Sequence, residues 1–361
     1  MRYYIIAGEA SGDLHGSNLI KELKLQDPLA EMRCWGGDLM EEQGGVIVKH
    51  YRDLAFMGFW EVLFNIFTIL KNISFCKRDI LAYKPDVLIL IDYPGFNIRM
   101  AKFAKKHNIK VFYYISPQIW AWHQSRSEVL KKIVDNMFVI LPFEKEFYKK
   151  FDFDVDFVGH PLLDAIEGLD TPAEQREVIA LVPGSRNQEI FRMLPVMVEV
   201  AKQFPERKFV VAGTSSANSS VYKSCEGVAN IQLEYGKTYE LLNRAKAALV
   251  TSGTATLEAA LFNVPEVVCY KGGLVSYIIA KWVIKTKYIS LVNLVMDKPV
   301  VAELIQGDFE PVKLKAELDS ILNEGQKRSD ILNDFVELRS KLGGAGASRN
   351  TAQLMVKYLS E

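Results

Sequence analysis

The sequence predicts an α/β protein of two Rossmann-like domains facing a cleft, and three observations predict it. Short runs rich in Val, Ile and Tyr alternate with helix-length segments; the alternation restarts after one polar stretch; and 361 residues are more than one core comfortably fills. In the first half the runs are YYIIAG, PDVLILID, KVFYYIS, NMFVILP and DVDFVGHP, the pattern of a parallel sheet with helices on both faces. A stretch from Glu167 to Glu177, rich in Asp, Glu and Thr, reads as a linker, after which VIALVPGSR, KFVVAG, AALVTSG and PEVVCY repeat the pattern. The expected boundaries are therefore 1–167 for the first domain and 168–340 for the second. Residues 341–361 carry GGAGAS and then the apolar-periodic helix TAQLMVKYL, which needs a partner surface on its own N-terminal domain or on a second copy of the chain, as in a homodimer.

Composition removes several function classes. The 44 Lys and Arg cancel the 44 Asp and Glu, against a nucleic-acid binder held by bulk charge. Cys34, Cys76, Cys225 and Cys269 are scattered without metal or disulfide spacing and read as reduced core residues. The chain enters an apolar strand at once, Tyr3 to Ala7, without the regions of a secretory signal, so a cytoplasmic location is expected.

The segment from Phe56 to Phe75, FMGFWEVLFNIFTILKNISF, is unusually apolar for such a domain. Glu61, Asn65, Thr68 and Asn72 recur every three or four residues and form one narrow polar stripe. Glu61 and Lys71 interrupt the run, which argues against a membrane span. Two readings stand: a fully buried helix, or a monotopic surface for membrane or acyl chains built from Met57, Phe59, Trp60, Leu63, Phe64, Phe67 and Leu70. A second stretch, Leu274 to Met296, is either core or a lipid-facing surface, with Tyr277 and Trp282 as anchors and Lys281, Lys285 and Lys287 for anionic headgroups.

GEASGD at positions 8–13 sits where a phosphate loop would lie, between the first strand and first helix, but Glu9 and Asp13 would repel a pyrophosphate. The turn suits neutral sugar hydroxyls instead, or Asp13 or Ser11 caps the helix. In IDYPGFN the strand stays apolar up to Asp92, which emerges at the carboxyl end of a central strand, where open α/β sheets place ligands. Flanked by Pro94 and Asn97, this carboxylate either takes a proton from an attacking sugar hydroxyl or caps the following turn. SPQIWAWHQSR sets Trp120, Trp122, His123 and Arg126 after another strand, the tryptophans as a wall for sugar or acyl chain or as core. In LVPGSR, backbone N–H groups at a helix start, Ser185 and the fixed charge of Arg186 suit a diphosphate, or form a plain strand-to-helix turn. SGTATLEAAL places hydroxyls at another helix start, with Glu258 one turn further in, at the distance of a ribose. No DxD pair, Cys/His cluster or paired carboxylates at metal spacing stands out, so a metal-independent, cofactor-free mechanism is expected, with Arg186 and the helix dipole stabilising a departing nucleotide diphosphate. No GxGxxG follows a predicted strand, against a dinucleotide oxidoreductase.

GEASGDLHG, FMGFWEVL, IDYPGFN, SPQIWAW, LPFEKEFY, VGHPLLD, LVPGSR, SGTATLE and SLVNL occur in this order, and through them nearly the whole chain resembles the lipid-A-disaccharide synthase family. The resemblance implies a GT-B fold with acceptor on the N-terminal domain and UDP-sugar on the C-terminal one. It implies inverting transfer of 2,3-diacylglucosamine from UDP-2,3-diacylglucosamine to 2,3-diacylglucosamine 1-phosphate, giving the β(1→6) lipid A disaccharide 1-phosphate and UDP. Carried over by motif, Asp92 is the general base, Ser185, Arg186, Ser252, Gly253, Thr254, Glu258 and Asn293 lie on the UDP side, and Glu9, Ser11, Asp13, Asn97 and Trp122 lie near the acceptor. The family is peripheral on the inner face of the bacterial inner membrane, which favours the lipid-contact reading of residues 56–75. Gly95 departs from the pattern: several relatives carry a second acid in this loop, so Asp92 is expected to act alone. The same frame would also serve a UDP-N-acetylglucosamine 2-epimerase, which wants further acids and a histidine but no lipid surface, or a non-catalytic membrane-associated nucleotide-sugar-binding protein.

Overall fold

A computed structural model describes residues 1–54, 66–122, 124–166, 176–273 and 286–361, which form two compact units, Met1–Asp164 with Leu342–Glu361, and Ala165–Lys341. In the first, β1 (Arg2–Ala7), β2 (Glu31–Gly36), β3 (Val46–His50), β4 (Val87–Ile91), β5 (Lys110–Tyr114), β6 (Asn136–Val139) and β7 (Asp156–Phe157) lie in the order β3-β2-β1-β4-β5-β6-β7, all parallel. In the second, β8 (Val178–Val182), β9 (Phe209–Gly213), β10 (Ile231–Tyr235), β11 (Ala245–Thr251), β12 (Glu266–Tyr270) and β13 (Ala302–Ile305) lie in the order β10-β9-β8-β11-β12-β13, again parallel. Every residue of β4, β8 and β9 is buried, because helices cover both faces of each sheet and leave no solvent side for polar alternation.

In both sheets the order of strand addition reverses once, between β1 and β4 in the first unit and between β8 and β11 in the second. Beyond the carboxyl ends of such a strand pair the flanking helices diverge, which leaves a crevice for a ligand. Ala7 pairs with Ile91, and Val182 with Val250. The residues that follow are Gly8–Gly12 and Asp92 at the first switch point, and 183–186 and 252–254 at the second.

The terminal helix Ala347–Ser360 packs on the first unit, placing Ala352 and Met355 in the core beside Leu19, Ile20 and Leu23 of the helix Ala10–Gln26. Asp164 receives it: one carboxylate oxygen accepts from Gly346 N (2.5 Å) and Ala347 N (3.3 Å), the other from Ser348 N (3.0 Å). These are backbone donors that the first turn of a helix cannot satisfy itself. Asp164→Ala should therefore cost about 1–2 kcal/mol and lower the thermal midpoint by roughly 5 °C; an unshifted midpoint in a calorimetric scan would show the clasp to be dispensable.

Of the apolar segment 56–75, Met57, Phe59, Trp60, Leu63 and Phe64 lie outside the described residues. The helix Ile66–Tyr83 buries Ile73, Cys76 and Ile80 on one face but leaves Phe67 75% and Leu70 51% exposed. A fully buried helix is thus not what forms in this part, since one face alone meets the core. Among the described residues no helix is long and apolar enough to cross a membrane. In the second apolar stretch, residues 274–285 lie outside the described residues, and the helix Leu291–Met296 is core, with Leu291, Val292, Val295 and Met296 buried.

Candidate active site

At the first switch point Gly8, Glu9, Ser11 and Gly12 share a small pocket with Ile91, Asp92 and Tyr93. Gly8 is required by close approach: a Cβ there would stand 2.4 Å from the Tyr93 ring. Asp92 (φ +43°) and Tyr93 (φ +47°) both adopt the left-handed conformation, which costs a non-glycine residue roughly 1–2 kcal/mol. Burial, then the neighbouring charge of Glu9, pushes the Asp92 carboxyl up to about 6, against the backbone N–H of Tyr93 that lowers it. A carboxylate so placed is ionised at neutral pH yet more basic than an ordinary aspartate, which suits it to take a proton. Gly95 brings no second acid to this loop, but the carboxylate of Glu9 lies across the same pocket, close enough for its charge to raise the Asp92 carboxyl.

Two other residues that the sequence places near the acceptor spend their side chains on the backbone. Asp13 is buried, one oxygen accepting from Gly37 N (2.7 Å) and Met40 N (3.1 Å) and the other from Leu39 N (3.2 Å), so its carboxylate caps the short helix Asp38–Glu42. Asn97 is fully buried and donates to the carbonyls of Ile91 (3.2 Å) and Asp92 (2.7 Å). Ser11 is exposed at the start of its helix. Trp120 is core, edge-on to Phe143 with centroids 5.0 Å apart; His123 and the Trp122 side chain lie outside the described residues. The motif LPFEKEFY supports the SPQIWAW loop: Glu144, buried and pushed up to about 7 by that burial, accepts from Ser116 Oγ (2.8 Å) and Leu141 N (2.9 Å).

At the second switch point Gly184 takes φ +107° and Arg186 begins the helix Asn187–Ala201. Glu189 closes this loop, accepting from Ser185 N (3.2 Å), Arg186 N (3.3 Å) and Arg186 Nη1 (3.0 Å). The rest of the guanidinium faces solvent, its side chain 61% exposed. Gly253 and Thr254 are exposed at the start of the helix Thr254–Leu261, whose amides carry the positive end of the helix dipole. Burial pushes the Glu258 carboxyl up to about 7, and its charge reaches the Tyr239 phenol; a carboxylate one turn inside the helix start can accept from a pair of hydroxyls.

Ser252 and Asn293 act one step back. Ser252 Oγ donates to Ile289 O (2.8 Å). The buried Asn293 amide donates to Val301 O (2.9 Å) and Glu303 Oε1 (2.9 Å) and accepts from Val301 N (3.0 Å), which ties the start of its helix to the strand β13. Sequence reasoning missed Glu303, whose carboxylate also accepts from Ile289 N (3.0 Å) and Ser290 N (2.9 Å) and so fixes the segment behind Ser252. A glutamate in the run VVAEL carries no local signal for that task.

The comparisons with known proteins agree along the chain. A family model described as lipid-A-disaccharide synthetase matches residues 3–357. The lipid-A-disaccharide synthase of Syntrophus aciditrophicus (strain SB) is 38% identical over 373 residues, covering 99% of this chain and 97% of that protein. The one from Trichlorobacter lovleyi is 37% identical over 380 residues, covering 100% and 98%. Among solved structures, a UDP-GlcNAc 2-epimerase from Neisseria meningitidis bound to UDP-GlcNAc superposes with TM-score 0.70 at 12% identity, covering 99% of this chain and 100% of its own. The glycotransferase of kitacinnamycin does so with TM-score 0.68 at 14% identity, covering 99% and 98%. At such identities the likeness is one of fold, and it is the two-Rossmann fold class that the sequence predicts. With the family match running from residue 3 to 357, and identity above one third over nearly all of both chains, this chain belongs to the lipid-A-disaccharide synthetase family.

Proposed function

We propose that this chain is an inverting hexosyltransferase that moves 2,3-diacylglucosamine from UDP-2,3-diacylglucosamine to 2,3-diacylglucosamine 1-phosphate. The observation that carries this reading is Asp92, half-buried at the first switch point, raised in basicity and set beside Glu9. In the reaction, Asp92 takes the proton from the acceptor's 6-hydroxyl as that oxygen attacks the anomeric carbon of the donor. The bond from that carbon to the diphosphate oxygen breaks, its electron pair leaves with UDP, and a β(1→6) linkage forms with inversion. The free fork of Arg186, the exposed helix start at Gly253 and Thr254, and Ser185 hold the charge that develops on the diphosphate, while Glu258 accepts from the ribose hydroxyls.

Both substrates carry fatty chains, so the acyl or membrane contact belongs with the exposed Phe67 and Leu70 and with Met57, Phe59, Trp60, Leu63 and Phe64 before them. The enzyme would work as a peripheral protein on the inner face of the bacterial inner membrane, where anionic lipid is at hand. Incubation with both lipid substrates, followed by mass spectrometry and UDP quantification, should give the disaccharide 1-phosphate and UDP in equal amounts. UDP release that ignores the acceptor, or epimerisation of UDP-N-acetylglucosamine with no lipid present, would overturn the assignment.

A further inference from the structure

The outliers Asp92 and Tyr93 stand next to each other, and one of them is the proposed base. Left-handed residues persist only where the surroundings over-determine them, so the contacts that impose this turn decide where the carboxylate points. Three are present. The Tyr113 hydroxyl on β5 donates to the Asp92 carbonyl at 2.6 Å. Asn97 Nδ2 donates to the same carbonyl at 2.7 Å and to that of Ile91 at 3.2 Å. The Tyr93 ring lies over Gly8. Tyr113 and Asn97 are both fully buried, so neither donor has water as an alternative partner.

We infer that Tyr113 is a positioning residue: its phenol, acting with the Asn97 amide, holds the Asp92 peptide in the left-handed turn that aims the carboxylate into the Gly8–Gly12 pocket. The inference rests on the assignment of Asp92 as base. Two donors on one carbonyl fix the peptide plane, and the plane fixes φ and ψ on either side of it. With the phenol removed, Asn97 alone resists relaxation to an ordinary strand exit. A carboxylate displaced by about an ångström from its reacting hydroxyl loses on the order of 100-fold in rate.

The test is Tyr113→Phe in the full chain, assayed with both lipid substrates from pH 5 to 9. The expected result is a fall in kcat of about 10-fold or more with donor and acceptor KM within twofold. The acid limb of kcat/KM should also move below its wild-type position, because the freed carboxylate leaves the desolvated pocket that it shares with Glu9 and the Tyr93 phenol. Tyr4→Phe is the matched control, since Tyr4 is an equally buried phenol whose partners, Asp79 (2.7 Å) and Trp35 (2.9 Å), are scaffold. It should lower the melting temperature and leave kcat and the acid limb unchanged. Tyr113→Phe behaving as Tyr4→Phe does would overturn the inference. If Tyr113→Phe does not fold, Asn97→Ala carries the same expectation from the other donor. Asp92→Asn separates the two levels: turnover retained there sinks the base, whereas turnover lost there but intact in both clamp variants sinks only the clamp.

Discussion

Asp92→Asn should lower kcat/KM by about 10³-fold while the folded state persists. The substitution preserves volume and keeps a residue that tolerates positive φ, so the backbone at φ +43° has no reason to move. Stability should not suffer either, and the sign can be worked out. A carboxyl raised from its ordinary value to about 6 disfavours the folded state as pH rises through that interval, because the unfolded chain gives up its proton first. A neutral amide removes that penalty, so at pH 7.5 the variant should melt at or slightly above the wild-type temperature. What it lacks is a proton acceptor. In the wild type, kcat/KM should rise with pH through about 6 as Asp92 deprotonates, and Asp92→Asn should lose this limb together with the rate. Activity within tenfold of wild type, measured as acceptor-dependent UDP release, would move the base elsewhere, with Glu9 the first residue to examine.

Much of the architecture was legible because parallel strands covered on both faces must read as continuous apolar runs, and the loops at their carboxyl ends must break those runs. PDVLILID and AALVTSG show this directly: the first polar residues after each strand are those at the switch points. Residue roles were less legible, because a polar side chain looks the same in a sequence whether it meets a ligand or a backbone amide far along the chain. Asp13 resembles a ligand group until Gly37, Leu39 and Met40 present their N–H groups to it. Asn293 resembles one until Val301 and Glu303 take up its amide. That Glu9 faces Asp92 was not legible either, because the two lie in separate loops, after β1 and after β4, which only the pairing of those strands brings together. Tyr113 was hidden for the opposite reason: in KVFYYIS it counts as one more strand residue, and only its hydroxyl, 2.6 Å from a strained carbonyl, sets it apart.

Arg186→Ala should cost about 10²–10³-fold in kcat/KM for the UDP-sugar, the range for losing one preorganised donor to a developing anion. The helix start at Thr254 offers amides with a partial charge, but the leaving diphosphate gains a full negative charge as the glycosidic oxygen departs, and among the residues proposed for the UDP side only Arg186 carries a full positive one. Arg186→Lys should recover little of the loss. Glu189 occupies Nη1 at 3.0 Å and thereby orients a planar fork whose remaining N–H groups stay free, whereas an ammonium drawn to the same carboxylate has no second face to offer. Because charge accumulates along the reaction, the defect should fall more on kcat than on KM, and UDP affinity measured by calorimetry should weaken less than the rate. Loss confined to KM would mean that Arg186 grips the ground state and the departing charge is stabilised elsewhere. A variant within threefold of wild type would remove Arg186 from the site, leaving the loop 183–186 as a plain strand-to-helix turn capped by Glu189.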